Sequence, residues 1–283
     1  MAPKLHAAQP SSPIVTFEAI VEEQYSAAMM KTENLYSRAD SQAEESVWRP
    51  SRRQQALAWT VHAFTATGAI WGLLALLAIS NDRWIEAFAW MGVAVFVDAF
   101  DGIAARRLRV KEALPEFDGA LLDNILDYLN YVFVPAYFLA VAGFLPQSLR
   151  VAGAVLILLA SAYQFCQSDA KTEDHYFKGF PSYWNIMVFY MFILNLPPWL
   201  NMALVVVLSV LVFVPIKYIY PSRTATRPGL TMALAGMWGL VNVGLLVQHP
   251  TPNPWLITAS LLYVAYYIGL SLYATWQTAA LPR

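Results

Sequence analysis

The fold of this chain is decided by two neighbouring stretches, Asp98-Ala-Phe-Asp101-Gly-Ile-Ala-Ala-Arg106 and Gly119-Ala-Leu-Leu-Asp123-Asn-Ile-Leu-Asp127. Each stretch lies at the end of a long apolar run, and its two aspartates are three or four residues apart, so each pair shares one helix face. A carboxylate inside a membrane costs about 2.5–3.5 kcal/mol at a helix centre, so a group of four needs a neutralising partner. Two such faces turned toward each other form an all-oxygen site, which hard divalent cations select. The spacing therefore predicts a divalent-metal site formed by these four aspartates.

The composition is that of a membrane protein. Of the 283 residues, 58% are hydrophobic and 13% are charged, which excludes an ordinary soluble domain. The formal net charge of -1 gives no electrostatic reason to expect a nucleic-acid partner. Cys166 is the only cysteine, so no intramolecular disulfide is expected. The first fifty residues are polar without a secretory signal, so the transmembrane helices themselves are expected to direct insertion.

Long uncharged runs predict an all-α integral membrane protein with about eight transmembrane helices. The first four predicted spans are residues 56–80, 84–106, 119–144 and 148–168. The apolar run 179–216 is divided by Pro197 and Pro198 into a short fifth span and a sixth, because consecutive prolines cannot continue a helix. The uncharged run 228–281 is broken by a proline-rich turn and predicts a seventh and an eighth span.

The charges predict how these spans are oriented. Residues 1–48 are expected to form a polar cytoplasmic N-terminal tail, either mobile or with a short amphipathic helix, and residues 49–283 the transmembrane domain. Sixteen of the 18 Lys and Arg residues fall on the side that holds both termini, while only Arg83 and Arg150 fall on the other. This positive-inside bias places the termini and the aspartates in the cytoplasm.

The two stretches together spell D-x2-D-G-x2-A-R-x12-G-x3-D-x3-D, which resembles the signature of the CDP-alcohol phosphotransferase (phosphatidyltransferase) family. All the signature positions are filled, namely Asp98, Asp101, Gly102, Ala105, Arg106, Gly119, Asp123 and Asp127. The resemblance implies that the transmembrane domain is catalytic and contains the six-helix core of the family, followed by two C-terminal helices. It also implies a homodimer.

The spacer between Arg106 and Gly119 has twelve residues, where most family members have a shorter one. This spacer, the loop 174–185 and the count of eight spans are similar to the bacterial phosphatidylcholine synthases. Enzymes of that subfamily lie in the bacterial inner membrane and transfer the phosphatidyl group of CDP-diacylglycerol to choline, with release of CMP. Membrane lipids would then surround the enzyme as well as supply its substrate.

The resemblance also assigns roles to the signature residues. It assigns Asp98, Asp101 and Asp123 to two divalent ions, Mg²⁺ or Mn²⁺, and places Asp127 near the second ion as the general base. Such ions would neutralise the pyrophosphate and orient its displacement. The remaining signature residues would bind the nucleotide, together with a threonine of the first span; they are Thr65, Gly102, Ala105, Arg106 and Gly119.

The resemblance implies that choline is the acceptor alcohol. Proteins recognise quaternary ammonium groups such as that of choline with aromatic cages. The start of the fifth span and the loop before it supply the candidates Tyr176, Phe177, Phe180, Tyr183 and Trp184. Aromatic residues are enriched at membrane interfaces in general, so this choline site competes with a simple anchoring role.

Two other functions remain open at this point. A related synthase that uses serine, inositol or glycerol 3-phosphate would contain the same aspartates. A cation-coupled transporter would also have intramembrane carboxylates. The transporter does not explain the fixed register of Gly102, Ala105, Arg106 and Gly119, and transporters bind their ions near the bilayer midplane instead of at helix ends.

Overall fold

The computed structural model describes residues 25–26, 29–33, 50–170, 172, 174, 176–220 and 228–280. Contacts between Cα atoms divide the chain into two units, Met1–Pro50 and Ser51–Arg283, and the fold below is that of the second unit. In the first unit, residues 25–26 and 29–33 are helical and exposed. The rest of the predicted N-terminal tail lies outside the described residues.

The second unit is built almost entirely of helices. In chain order they are α1 (Arg52–Ala66), α2 (Gly68–Ser80), α3 (Trp84–Arg107), α4 (Val110–Ala113), α5 (Gly119–Asp127), α6 (Val134–Val141), α7 (Arg150–Cys166), α8 (Trp184–Ile193), α9 (Pro198–Leu211), α10 (Pro228–Val247) and α11 (Pro254–Ala280). A π-helical segment, Tyr128–Phe133, joins α5 directly to α6, so the two form one rod. Helices α1 and α2 likewise form one run, interrupted only at Thr67.

Among the described residues, six helical runs are long and apolar enough to cross a membrane. They correspond to the predicted spans one to four, seven and eight, with ends that differ from the expected ones by a few residues. The all-α membrane fold is therefore confirmed. The predicted fifth and sixth spans are α8 and α9, which have only 10 and 14 residues. At 1.5 Å per residue they measure about 15 and 21 Å, less than the hydrocarbon thickness of about 30 Å.

The core lies where the first three membrane runs meet. Helices α2 and α3 approach closely through small residues, and Ala75, Ala78 and Ala87 are all fully buried. Phe138 of α6 is also fully buried, and its ring packs edge-on against Trp84 and Phe88 of α3. These contacts fix the α5–α6 rod against α3, which is what brings the aspartates of the two runs together.

A small sheet lies beside the helices. Strands β1 (Tyr176–Lys178) and β2 (Lys217–Ile219) pair antiparallel, with Phe177 opposite Tyr218. The sheet connects the loop after α7 with the loop after α9, so both loops lie on the same side of the molecule. Gly179 makes the close approach possible: its φ is +79°, and an added Cβ would lie 2.1 Å from the Val212 carbonyl oxygen. The sequence pattern does not predict this sheet.

Candidate active site

Three aspartates converge between α3 and α5. Asp98, Asp123 and Asp127 each offer a carboxylate oxygen, and these oxygens all lie within 4.8 Å of one another. Asp101, the fourth predicted ligand, lines the same cavity and is only 6% exposed. The structure thus brings all four predicted aspartates to one place, with three of them in a tight group.

A small cavity, partly open to the surface, lies beside these aspartates. Ala94, Val97 and Leu126 provide apolar walls beside the carboxylates. Four like charges here repel one another and need a cation with a preference for oxygen ligands. The donor set therefore fits a divalent metal ion.

Thr65 lies beside Asp101 on the α1 side of this cavity. Its hydroxyl donates to the Val61 carbonyl oxygen at 3.2 Å, and it also comes within hydrogen-bonding range of the Asp101 carboxylate. Of the residues predicted to bind the nucleotide, Thr65 is the one that lines the cavity.

The π-helical segment contributes two polar side chains that were not predicted from the sequence. The Tyr131 hydroxyl donates to Asp98 Oδ2 at 2.6 Å. The Asn130 amide donates to the carbonyl oxygens of Gly68 and Leu126 at 3.1 and 3.0 Å. The wider turn of a π-helix is frequent at functional sites. A signal was present in the sequence, since Asp123, Asp127 and Tyr131 follow one another at intervals of four residues.

The other predicted nucleotide residues are not among those that line the cavity. Gly102 and Ala105 are partly buried, and Arg106 is exposed. A Cβ added to Gly102 would lie 3.2 Å from Arg106 Nη1, so the guanidinium passes over the bare backbone of this glycine. Such a bare surface next to a guanidinium suits a phosphate or a nucleoside.

Gly119 packs against the ring of His62. A Cβ at this position would lie 2.5 Å from His62 Cε1, so the glycine makes room for the imidazole. The His62 ring lies 4.4 Å from the ring of Phe117 and 5.9 Å from that of Trp59. Its Nε2 has no hydrogen-bond partner among the residues that the structure describes.

The five aromatic residues predicted for choline separate into two groups. Trp184 is 0% exposed and its indole N–H donates to Ser161 Oγ at 2.9 Å, while Phe180 packs against it and is 7% exposed. Both belong to the core. Tyr176, Phe177 and Tyr183 are only partly buried and lie in the sheet or just after it.

A row of aromatic rings connects the carboxylates to the sheet. The Tyr131 ring, which is anchored on Asp98, lies 6.1 Å from the ring of Tyr183. Tyr183 in turn lies 6.1 Å from Phe177 of β1, and Phe177 lies 4.7 Å from Tyr220, which follows β2. The negative carboxylates and the π faces are both suited to an organic cation.

Comparison with known proteins agrees with the family resemblance of the sequence signature. A family model described as CDP-alcohol phosphatidyltransferase matches residues 57–216. A phosphatidylcholine synthase from Legionella pneumophila is 47% identical over 226 residues, which is 77% of this chain and 89% of the relative. Phosphatidylcholine synthases from Pseudomonas aeruginosa and Borreliella burgdorferi are 41% and 39% identical, over 80% and 78% of this chain and 93% and 96% of their own lengths.

Proposed function

The chain belongs to the CDP-alcohol phosphatidyltransferase family, and we propose that it is a phosphatidylcholine synthase. It would transfer the phosphatidyl group of CDP-diacylglycerol to choline. The choline oxygen forms a bond to the phosphatidyl phosphorus, the bond from that phosphorus to CMP breaks, and CMP leaves with the electron pair. The observation that carries this proposal is the identity of 47% to a phosphatidylcholine synthase across 89% of its length.

Asp98, Asp101, Asp123 and Asp127 would hold the divalent metal, as two ions of Mg²⁺ or Mn²⁺. Support comes from the oxygens of Asp98, Asp123 and Asp127, which lie within 4.8 Å of one another, and from Asp101 on the same cavity. When bound, the ions would neutralise the pyrophosphate and the charge that develops on the leaving CMP.

Asp127 would act as the general base and accept the proton of the choline hydroxyl. Asp98 and Asp127 are the aspartates close enough to Tyr131 and Tyr183 to interact with them electrostatically. These tyrosines form the aromatic side of the site, from which a cationic acceptor would approach. A base on that side is well placed for the hydroxyl.

Nucleotide binding would use Thr65 inside the cavity, together with Gly102, Ala105, Arg106 and Gly119. The guanidinium over Gly102 supports a phosphate contact for Arg106. Gly119 would act indirectly, by leaving room for the His62 ring beside the start of α5.

The trimethylammonium group of choline would lie against the rings of Tyr183 and Phe177. These two rings would form the aromatic wall of the acceptor site. Trp184 and Phe180 would support the wall from the core, and Tyr176 would form its edge. Aromatic π faces close to the carboxylates of Asp98 and Asp127 favour a cationic acceptor over the neutral inositol or the anionic glycerol 3-phosphate.

The enzyme would lie in the bacterial inner membrane as a homodimer, with its active site in the cytoplasm. Cys166 offers a test of this orientation, because it is exposed at the end of α7 next to the sheet loops. A membrane-impermeant maleimide should label it in inside-out vesicles only. A Cys166→Ser, Asp82→Cys protein should show the opposite sidedness, and mass photometry in detergent should give twice the chain mass.

The activity is tested by supplying isolated membranes with CDP-diacylglycerol, a divalent metal and one labelled alcohol at a time. Label from choline should enter lipid with release of CMP. Incorporation of serine, inositol or glycerol 3-phosphate instead would keep the aspartate chemistry and refute the choline assignment. Absence of lipid product with every alcohol would refute the transferase, and metal-coupled uptake into sealed vesicles would then favour a transporter.

A further inference from the structure

Helix α11 holds the outer strand of the sheet through a row of hydroxyls. Thr275 Oγ1 accepts a hydrogen bond from the Lys217 backbone N–H at 2.8 Å. Ser271 Oγ accepts one from the Ile219 N–H at 3.3 Å. The Tyr267 hydroxyl donates to the Ile219 carbonyl oxygen at 3.1 Å. The three hydroxyl residues are four positions apart, so they line one face of the helix.

These hydroxyls cover the edge of β2 that β1 leaves open. Backbone groups two residues apart in a strand point to the same edge, and here the groups of Lys217 and Ile219 point to α11. The Ser271 and Thr275 hydroxyls donate to carbonyl oxygens of their own helix at 2.8 and 2.9 Å, so their oxygens remain available as acceptors. Ser271 is 1% exposed and Ile219 is 3% exposed, so water does not replace these bonds.

The strand held in this way is linked to the reaction site. Tyr220 directly follows β2 and packs on Phe177, and Phe177 contacts Tyr183. Tyr183 contacts Tyr131, which donates its hydrogen bond to Asp98. A shift of β2 would therefore move the aromatic wall of the acceptor site without moving the aspartates, which are carried by α3 and α5.

Both β2 and α11 lie beyond residue 216, where the match to the family model ends. All four aspartates and the signature arginine lie within the matched part. The residues proposed for phosphatidyl transfer thus lie in the matched segment. The support for the aromatic wall comes from α11, which lies outside it.

We propose that Tyr267, Ser271 and Thr275 are positioning residues that set the affinity for the acceptor alcohol. They hold β2 in place, and β2 holds the rings of Phe177 and Tyr183 where the trimethylammonium group of choline binds. This inference rests on the proposed function. None of the three residues lines the aspartate cavity, so we expect the binding of CDP-diacylglycerol to be independent of them.

The test compares the full-length protein in membranes with a double variant, Ser271→Ala with Thr275→Val, which removes both acceptor oxygens. The apparent KM for choline should rise about tenfold or more, because the buried Ile219 N–H and the partly buried Lys217 N–H lose their partners and the wall loosens. The KM for CDP-diacylglycerol and kcat at saturating choline should stay within about twofold. Thr278→Val is the matched control, since that hydroxyl is exposed and donates only to its own helix at Ala274.

The inference is overturned if the choline KM is unchanged, or if both KM values change in parallel, which would mean a general structural defect. Thr275→Ser keeps the acceptor oxygen and should behave as wild type; the same KM defect there would also overturn the inference. If the double variant does not accumulate, Thr275→Val alone is measured against Thr275→Ser. If the wild type uses another alcohol, the proposed function fails, and the KM for that alcohol in the same variants still tests the positioning role.

Discussion

At the scale of single residues, Tyr131 connects the four aspartates to the aromatic rings of Tyr183 and Phe177. Its hydroxyl donates to Asp98 Oδ2 at 2.6 Å from a buried position. A partner of this kind orients a metal-ligating carboxylate, and its loss typically reduces metal affinity about 10- to 100-fold. We therefore expect Tyr131→Phe to weaken Mn²⁺ binding by roughly that factor, measured by electron paramagnetic resonance on the purified protein.

Tyr128→Phe is the matched control for this experiment. Tyr128 lies on the same π-helical segment, but its hydroxyl donates to the Leu158 carbonyl oxygen at 3.0 Å, away from the aspartates. It should bind Mn²⁺ like the wild type. Equal Mn²⁺ affinity in both variants would show that Tyr131 does not orient Asp98.

Asp127→Asn tests the proposed base. An amide cannot take up the choline proton, so turnover should fall by about 10²–10⁴-fold or more while the protein stays folded. Asp118→Asn makes the same chemical change at the N-cap of α5, where the side chain accepts from the Leu121 N–H at 2.9 Å and asparagine caps equally well. CMP release should be lost only in the first variant. Rapid turnover in Asp127→Asn would remove Asp127 as the base.

The sequence predicted the aspartates because a charge at the end of an apolar run is costly and must have a partner. It did not predict Tyr131, because a tyrosine at a membrane interface is ordinary. Only the π-helical turn after Asp127 and the packing of α6 on α3 show that this hydroxyl reaches Asp98.

At the scale of elements, the sheet depends on one glycine. Gly179 and Gly143 both have positive φ, +79° and +77°, so alanine at either position should cost about 1–2 kcal/mol in backbone strain. At Gly179 the new Cβ would also lie 2.1 Å from the Val212 carbonyl oxygen, whereas at Gly143 it meets nothing within 4 Å. Thermal unfolding should show a clearly larger loss of stability for Gly179→Ala. Equal losses would mean that the loop contact between Gly179 and Val212 is not formed.

The sheet also carries an ion pair between Lys217 and Asp174, with 2.5 Å between Nζ and Oδ2. Partial burial of Asp174 tends to raise its carboxyl pKa, but hydrogen bonds from Lys217 and Thr172 outweigh it, so this pKa is lowered. A lowered pKa means that the pair stabilises the fold above the ordinary aspartate pKa of about 3.9 and loses that effect as the pH falls through the lower folded value.

Asp174→Asn should therefore unfold at a lower temperature than the wild type near neutral pH, and the gap should close as the pH falls below about 4. Asp82→Asn, in the turn between α2 and α3, controls for the removal of one carboxylate elsewhere. A gap that is constant with pH would contradict the pairing.

The helices were predictable at this scale because each contains a long uncharged run, and Pro197 and Pro198 correctly predicted the break between α8 and α9. The sheet was not predictable in the same way. Its strands have three residues each and come from loops about forty residues apart, so neither shows an alternating pattern of its own.

The whole molecule combines three parts with separate tasks. Helices α3 and α5 carry the aspartates, β1 and the segment after it carry the rings of Phe177 and Tyr183, and α11 holds β2 from outside the matched segment. The sequence predicted the first part almost completely, because the signature is local. The other two depend on contacts between residues far apart in the chain, such as Lys217 with Thr275, and these follow only from the fold.

The most direct test of the central claim uses purified protein reconstituted in vesicles with CDP-diacylglycerol, choline and a divalent metal. CMP and phosphatidylcholine should form in equal amounts. Both products should disappear on chelation and return when Mg²⁺ or Mn²⁺ is restored, because the four aspartates act through the divalent ions that they bind. Release of CMP without phosphatidylcholine, or transfer that continues in excess chelator, would contradict the account.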